Sequence, residues 1–137
     1  MSKTNEYRTG RHCVFKLHCH LVFVTKYRYN VLEGYMFPVL KSLFEKVCSD
    51  FETDLVEFNG ESDHVHLLIN YPPKIALSKL VNSLKGVSSR KLKLHHPEVA
   101  KRYYKSALWS PSYFAASCGG APIEVIKQYV QQQRTPH

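Results

Sequence analysis

A two-residue alternation between Asp63 and Tyr71, with two histidines on one parity, constrains the fold more than any other stretch of the sequence. Alternate residues of a β-strand project from opposite faces of its sheet. His64 and His66 therefore share one face, about 7 Å apart along the strand, while the apolar residues after them point toward a core. Two imidazoles at that spacing can converge on one ion. The pattern predicts a strand that carries half of a metal site.

A similar alternation runs from His12 to Thr25, where apolar residues of one parity oppose Lys16, His18 and His20. This pattern predicts a long first strand with one buried face. It also supplies a second H-x-H pair with the same strand geometry. The pair His18 and His20 is therefore an alternative metal pair on spacing alone.

The remaining elements follow from helical periodicity, turn residues and breakers. They are a helix from residue 31 or 35 to about 49, a strand over 55–58, a turn at Asn59-Gly60, the histidine strand, a helix from residue 76 or 78 to His95-His96-Pro97, a strand over 108–116 and a helix over 122–133. The order β-α-β-β-α-β predicts an α+β, ferredoxin-like antiparallel sheet with two helices on one face. A C-terminal helix follows it. In this topology the first and third strands are central neighbours, and all four strand histidines lie on the open face.

The size of the chain predicts a single domain over residues 1–137, with a loose polar arm over residues 1–11. The 19 Lys and Arg residues against 11 Asp and Glu residues give a net charge of +8. Such an excess favours a polyanionic partner, nucleic acid before a membrane.

The four cysteines are widely spaced and form no C-x-x-C motif, which argues against a zinc ribbon and against a redox dithiol. The sequence shows no signal peptide and no apolar run of membrane-spanning length. We therefore expect a cytoplasmic protein with reduced thiols.

Two basic stretches are candidates for contact with nucleic acid. One interleaves cations with aromatic rings at Lys26, Tyr27 and Arg28, and the other lies on the second helix at Lys85, Arg90 and Lys91. Cations beside aromatic rings suit phosphates and stacked bases. A solvated strand end and a solvated helix face explain the same residues equally well.

The last helix carries Tyr129 and Gln133 one turn apart, and therefore on one face. The pair offers a phenol nucleophile beside a neutral oxygen ligand. Spacing alone favours a simpler interpretation, a surface tyrosine and a solvated glutamine in a glutamine-rich tail.

Several blocks, taken in order, resemble a known family. They are His20-Leu21-Val22-Phe23-Val24-Thr25-Lys26-Tyr27-Arg28, His64-Val65-His66, Leu84-Lys85-Gly86 with Ser88-Ser89-Arg90, Trp109-Ser110-Pro111-Ser112-Tyr113, Gly119-Gly120-Ala121-Pro122 and Ile126-Lys127-Gln128-Tyr129-Val130-Gln131-Gln132-Gln133. Together they are similar to the single-tyrosine HUH transposases of bacterial insertion sequences, the insertion-sequence-200/605 family. The resemblance covers roughly residues 12–133.

The resemblance implies that His64, His66 and Gln133 bind Mg²⁺ or Mn²⁺ and that Tyr129 is the nucleophile. It implies cleavage of single-stranded DNA with hairpin ends, through a 5′-phosphotyrosine and a freed 3′-OH. It further implies a homodimer in the bacterial cytoplasm, in which a mobile tyrosine helix, residues 121–134, completes the partner's site. His20 is then a candidate to contact the metal ligands without binding the metal itself.

Three other functions fit parts of the sequence. The same fold often binds single-stranded RNA without catalysis, although it then carries paired aromatic residues where this chain has histidines. A domesticated relative would apply the same chemistry to chromosomal repeat hairpins. A metal hydrolase that activates water would not need Tyr129.

Overall fold

Four antiparallel strands with two long helices on one face form the body of the structure, a computed structural model that describes residues 7–10, 14–15, 17–117 and 123–133. The described strands and helices are β1 (Arg8–Thr9), β2 (Val14–Phe15), β3 (His18–Val24), α1 (Phe37–Asp50), β4 (Asp54–Glu61), β5 (His64–Asn70), α2 (Leu77–His95), α3 (Pro97–Arg102), β6 (Phe114–Ser117) and α4 (Ile123–Gln132). Short 3₁₀ turns occupy Lys26–Arg28 and Gly34–Met36.

The strand order of the sheet is β4-β5-β3-β6, and every neighbouring pair is antiparallel. The first and third strands of the predicted unit, β3 and β5, are therefore central neighbours. This order is that of the ferredoxin-like unit, so the predicted α+β fold is confirmed. The short strands β1 and β2 pair only with each other among the described residues.

The main core lies between α1, α2 and one face of the sheet. Leu40, Phe44 and Val47 follow the helical repeat of α1 and are buried. Leu80 and Leu84 follow the helical repeat of α2 and are fully buried. The strands contribute residues of a single parity, namely Cys19, Leu21, Phe23, Val65, Leu67 and Ile69. Burial of these side chains turns the intervening residues toward the other face.

The first strand is shorter than predicted. Residues 14–15 form β2, which pairs with β1, and the sheet begins only at His18. Within the expected loose arm, Arg8–Thr9 are paired, and the Arg8 guanidinium donates hydrogen bonds to the carbonyl oxygens of Asn70 (2.8 Å) and Glu52 (2.7 Å). These contacts order residues 8–9 although their composition is polar.

The predicted turn at Asn59-Gly60 is wrong. Both residues lie inside β4, opposite His66 and Val65, and the turn falls at residues 62–63. Gly60 serves close packing instead, because a Cβ added there would lie 2.3 Å from Cε1 of Phe37. A glycine inside a strand often marks such a close approach.

The last third of the chain also departs from the prediction. Pro97–Arg102 form the short helix α3 in a segment that was expected to be an irregular connection. The predicted fourth strand over 108–116 is interrupted. Trp109 forms an isolated bridge with Thr25, and β6 starts only at Phe114. Pro111 lies in the break, as its missing amide proton requires.

Cys19 and Cys48 are buried free thiols, while the other two cysteines and the Gly119-Gly120 joint lie outside the described residues. Burial raises the pKa of Cys48 to about 12 and also raises the pKa of Cys19. Within the described ranges, no helix has the length and apolar character needed to cross a bilayer.

Gly60→Ala tests the packing against Phe37. The added methyl group overpacks the site, and we expect a loss of about 1–3 kcal/mol in the free energy of unfolding, measured by urea denaturation. Gly34→Ala is the matched control, because no atom lies within 4 Å of its added Cβ. Equal stabilities of the two variants would contradict this explanation, as would an undiminished loss when Phe37→Leu is added to Gly60→Ala.

Candidate active site

His64 and His66 lie on the face of β5 that is turned away from the two long helices. The register of the central pair places His64 opposite Val24 and His66 opposite Val22. The residue between them, Val65, is fully buried in the main core. The structure therefore gives the two histidines one face and an apolar support behind them.

His20 reaches the same place from the neighbouring strand. Its Nδ1 lies 2.8 Å from Nε2 of His66, and the two rings stack with their centroids 5.0 Å apart. His18, at the start of β3, lies opposite Asn70, and its Nε2 is 3.3 Å from Nδ2 of that residue. The four strand histidines are thus not one cluster, since Asn70 is about 13 Å along the strand from His66.

The residue before His64 orients its ring. Nδ1 of His64 lies 2.9 Å from Oδ1 of Asp63, and Arg28 Nε donates to the other carboxylate oxygen at 2.8 Å. Although burial acts to raise the pKa of Asp63, the hydrogen bonds from Arg28 and His64 lower it below its ordinary value. A carboxylate that holds Nδ1–H leaves Nε2 of the imidazole free to bind a metal, the usual arrangement behind metal-bound histidine.

His66 is half-buried, and its environment disfavours protonation. Burial lowers its pKa, and the neighbouring charge of His20 lowers it further. The imidazole of His66 is therefore neutral at pH 7. A neutral ring is the form that binds metal ions.

α4 packs on the same face of the sheet. Val130 is buried against Val22 and Val24 of β3, and the ring of Tyr129 lies 5.7 Å from the ring of Phe114 on β6. These contacts form a second, small apolar cluster opposite the main core. They place α4 over the surface that carries the histidines.

Tyr129 and Gln133 face the break before β6. The Tyr129 hydroxyl lies 2.9 Å from Oγ of Ser112, and Oε1 of Gln133 accepts hydrogen bonds from Ser110 (3.0 Å) and Ser112 (3.1 Å). The amide of Ser110 in turn donates to the carbonyl oxygen of Val24, which lies opposite His64. The structure thus brings Tyr129 and Gln133 together, at the end of the sheet where His64 lies.

Burial raises the pKa of Tyr129, and the hydrogen bond with Ser112 offsets part of that rise. The phenol is therefore fully protonated at neutral pH. Among the described residues, Ser112 is the group whose hydrogen bond lowers the pKa of Tyr129. The sequence offered no signal for Ser110 or Ser112 beyond membership of the block 109–113.

The candidate DNA contacts divide into two groups. Lys26, Lys85 and Arg90 line a cavity of about 440 Å³ whose wall includes Trp109 and Pro111. The Lys85 ammonium donates to the carbonyl oxygens of Ser110 (2.7 Å), Pro111 and Ser112. The remaining candidates lie outside this cavity: Lys91 is exposed on α2, Tyr27 contacts the ammonium of Lys26, and Arg28 faces Asp63.

Comparison with known proteins identifies the family. The model of the family described as "Transposase IS200 like" matches residues 13–133. The chain belongs to this family. The family resemblance predicted from the sequence blocks is thus confirmed, and family membership assigns the chain to DNA transposition.

Several members of the IS200-like family are similar over most of their length. The ISDra2 transposase TnpA of Deinococcus radiodurans is 30% identical over 93% of this chain and 91% of its own length. The transposase of insertion sequence IS200 from Salmonella typhimurium is 28% identical over 83% of this chain and 74% of its own.

The fold agrees with solved structures of transposases. The crystal structure of a putative transposase from Deinococcus radiodurans superposes with a TM-score of 0.86 at 30% identity, over 94% of this chain and 99% of that one. A REP-associated tyrosine transposase bound to a REP hairpin gives a TM-score of 0.58 at 13% identity, over 90% of this chain and 67% of that one. At 13% identity, the second comparison supports similarity of fold alone.

The contact between His20 and His66 makes a prediction for the metal-free protein. In His20→Ala, water gains access to His66 and a neighbouring charge is removed, so the pKa of His66 should rise toward its ordinary value. The Cε1–H resonance of His66, followed by NMR between pH 4 and 9, measures the change. His95→Ala, an exposed histidine at the end of α2, is the control and should leave that pKa unchanged. A pKa of His66 that falls or stays constant in His20→Ala would contradict the described contact.

Proposed function

We propose that this transposase cleaves and rejoins single-stranded DNA at insertion-sequence ends through a 5′-phosphotyrosine on Tyr129. The observation that carries the proposal is the position of Tyr129 and Gln133. Tyr129 lies in the last turns of α4 and Gln133 directly follows the helix, and both contact the hydroxyl of Ser112, at the end of the sheet that carries His64. Family membership supports the same reaction class.

The donor groups fit a divalent metal. His64, His66 and Gln133 offer two imidazole nitrogens and an amide oxygen, all neutral, and Asp63 orients the first of them. The family resemblance supports Mg²⁺ or Mn²⁺ as the ion, and a neutral set of donors leaves its full positive charge available to a phosphate. When bound, the ion would polarise the scissile phosphate and stabilise the negative charge that develops there.

In the structure these donors have other partners. Oε1 of Gln133 is hydrogen-bonded to two serine hydroxyls, and Nε2 of His66 faces Nδ1 of His20. We propose that the serines and His20 hold the glutamine amide and the ring of His66 near their positions in the site, and that a bound ion would replace these contacts at Oε1 and Nε2. His20 thus supports the metal ligands without being one of them. The alternative pair of His18 and His20 is disfavoured, because Nε2 of His18 lies against the Asn70 side chain, toward the other end of the sheet.

In the proposed reaction the Tyr129 oxygen attacks the phosphorus and the bond from phosphorus to the 3′-oxygen breaks. The phenolic proton is released to solvent, and the leaving 3′-oxygen takes up a proton to become a hydroxyl. One phosphodiester is replaced by another, so a 3′-OH from a different strand can reverse the step without an energy source. Ser112 would assist by turning its single hydroxyl proton from Gln133 toward Tyr129, where a donated hydrogen bond favours the phenolate.

We propose hairpin-ended single-stranded DNA as the substrate. The net charge of +8 supports binding to a polyanion. The cavity lined by Lys26, Arg90 and Trp109 pairs cations with an aromatic wall, which suits a phosphate and an unstacked base. The REP-associated relative of similar fold is bound to a hairpin. That relative also keeps open a variant of the proposal, in which this chain acts on chromosomal repeat hairpins with the same chemistry.

We further propose that the protein is a homodimer of single-domain chains in which α4 of one subunit completes the site of the other. α4 has 10 residues, and a helix of that length is marginal on its own. Its described contacts with the body come from Arg28, Ser110, Ser112, Phe114 and two valines of β3. A second copy of α4 could satisfy the same contacts. The expected range of the mobile tyrosine helix, residues 121–134, extends beyond the described helix at both ends.

Tyr129→Phe tests the covalent step. Wild-type protein, incubated with Mg²⁺ or Mn²⁺ and single-stranded DNA that carries a hairpin and its flanks, should form a protein–DNA adduct visible on a denaturing gel. We expect the variant to form no adduct and to cleave at least 10³-fold more slowly, because the nucleophilic oxygen is missing. Tyr104→Phe, which changes an exposed tyrosine, is the matched control. Cleavage that survives Tyr129→Phe would instead indicate hydrolysis by activated water, and binding without any cleavage would indicate a non-catalytic module.

Histidine variants test the metal assignment. His64→Ala should abolish adduct formation and weaken Mn²⁺ binding, because it removes a proposed ligand. His18→Ala should retain at least part of both, since His18 contacts Asn70. The reverse pattern would move the metal site to the start of β3.

Mixing two inactive variants tests whether the sites are shared. Dimers formed from His64→Ala and Tyr129→Phe subunits contain one intact site if α4 acts in the partner's site. Random mixing should then restore about a quarter of the wild-type rate of adduct formation. The control is a mixture of His64→Ala with the double variant His64→Ala/Tyr129→Phe, in which no subunit has His64. A rate no higher than this control would mean that α4 serves its own subunit.

A further inference from the structure

The turn after β3 holds two consecutive residues in a backbone conformation that their side chains disfavour. Tyr27 has φ 64° and Arg28 has φ 57°, and neither residue is glycine. Such a conformation is strained and persists only where the surroundings enforce it. Such strain is concentrated at functional sites. The strained turn therefore points to a side chain whose position matters for function.

A dense set of hydrogen bonds enforces the conformation. Thr25 Oγ1 donates to the carbonyl oxygens of Tyr29 (2.8 Å) and Asp63 (3.2 Å), and the Thr25 amide also donates to Asp63 O (2.9 Å). Tyr103 Oη, from the segment after α3, donates to Lys26 O at 2.8 Å. The turn is thereby fixed to the start of β5, the strand that carries the histidines.

The result of this geometry is the position of the Arg28 guanidinium. Its Nε donates to Oδ2 of Asp63 at 2.8 Å, and one terminal nitrogen donates to Oε1 of Gln131 on α4 at 3.2 Å. The other carboxylate oxygen of Asp63 holds Nδ1 of His64 at 2.9 Å. Arg28 therefore joins α4 to the carboxylate that orients His64.

We infer that Arg28 is a positioning residue that couples the docking of α4 to the orientation of His64. The inference rests on the proposed function, in which His64 binds the metal and α4 brings Tyr129. Gln131 lies between Tyr129 and Gln133 in the helix, so a tether at Gln131 fixes both at once. The same guanidinium forms the ion pair with Asp63, whose side chain is only 12% exposed.

This role differs from that of a phosphate contact, for which Arg28 was also a candidate. A phosphate contact needs a positive charge near the surface, and lysine supplies one. Bridging a carboxylate and an amide oxygen needs the planar fork of a guanidinium, which lysine lacks. Arg28→Lys therefore separates the two roles, because it retains the charge and removes the fork.

The experiment measures Mn²⁺ binding by electron paramagnetic resonance, and hairpin DNA binding in EDTA over a series of salt concentrations. We expect Arg28→Lys to weaken Mn²⁺ binding about tenfold, the effect typical of a lost partner behind a metal ligand. Its DNA affinity and the slope of that affinity against salt concentration should change less than twofold. Unchanged Mn²⁺ binding together with weakened DNA binding would overturn the inference and assign Arg28 to the phosphate backbone.

The coupling to α4 has its own pair of variants, both at exposed positions of the helix. Gln131→Ala removes the acceptor of the Arg28 hydrogen bond, whereas Gln132→Ala changes the next glutamine, whose side chain has no hydrogen bond among the described residues. We expect Gln131→Ala to slow adduct formation about tenfold and Gln132→Ala to leave the rate unchanged. Combining Gln131→Ala with Arg28→Lys should slow the reaction less than the product of the two single effects. Equal rates for the two glutamine variants would overturn the coupling, even if Arg28→Lys proved too unstable to study.

Failure of the proposed function gives a different result. If Tyr129→Phe still cleaves, the tyrosine mechanism is wrong, yet the Mn²⁺ affinities of wild type and Arg28→Lys still test whether Arg28 supports His64. If Tyr129→Phe is inactive but Arg28→Lys binds Mn²⁺ as wild type does, only the positioning role is lost.

Discussion

The register of the central β3–β5 pair determines which residues of the two strands face the candidate site. It places His64 and His66 opposite Val24 and Val22 and turns all four toward the same face. A slip of one residue would send the histidines into the core and bring buried leucine and valine side chains to the surface. The hydrophobic burial of the alternate residues, which stabilises the sheet against α1 and α2, therefore also aims the histidines outward.

The sequence predicted those features that depend on local periodicity. Alternation located β5 and the face of its histidines, and the four-residue interval placed Tyr129 and Gln133 on one side of α4. Prediction from the sequence failed where tertiary contacts override local signals. Asn59-Gly60 has the composition of a turn, but the ring of Phe37 requires glycine inside the strand.

The supports of the site could not be read from the sequence because they join distant segments. Arg28 reaches Asp63 across 35 residues and Gln131 across 103. Ser110 and Ser112 contact α4 from a break in the predicted fourth strand. Positive φ angles at Tyr27 and Arg28 have no sequence signature either, since neither residue type favours them.

The burial of Val22 and Val24 sets the energy scale on which α4 can leave the sheet. Both side chains are fully buried in the small cluster that they form with Val130. Burying one such side chain contributes about 1.5–3 kcal/mol, so detachment of α4 would cost on the order of a few kcal/mol. A gap of that size leaves roughly one chain in 10² to 10⁴ with α4 detached at any moment. Any arrangement that moves α4 off its own sheet must therefore pass through this sparsely populated state or replace the cover over Val22 and Val24 with another apolar surface.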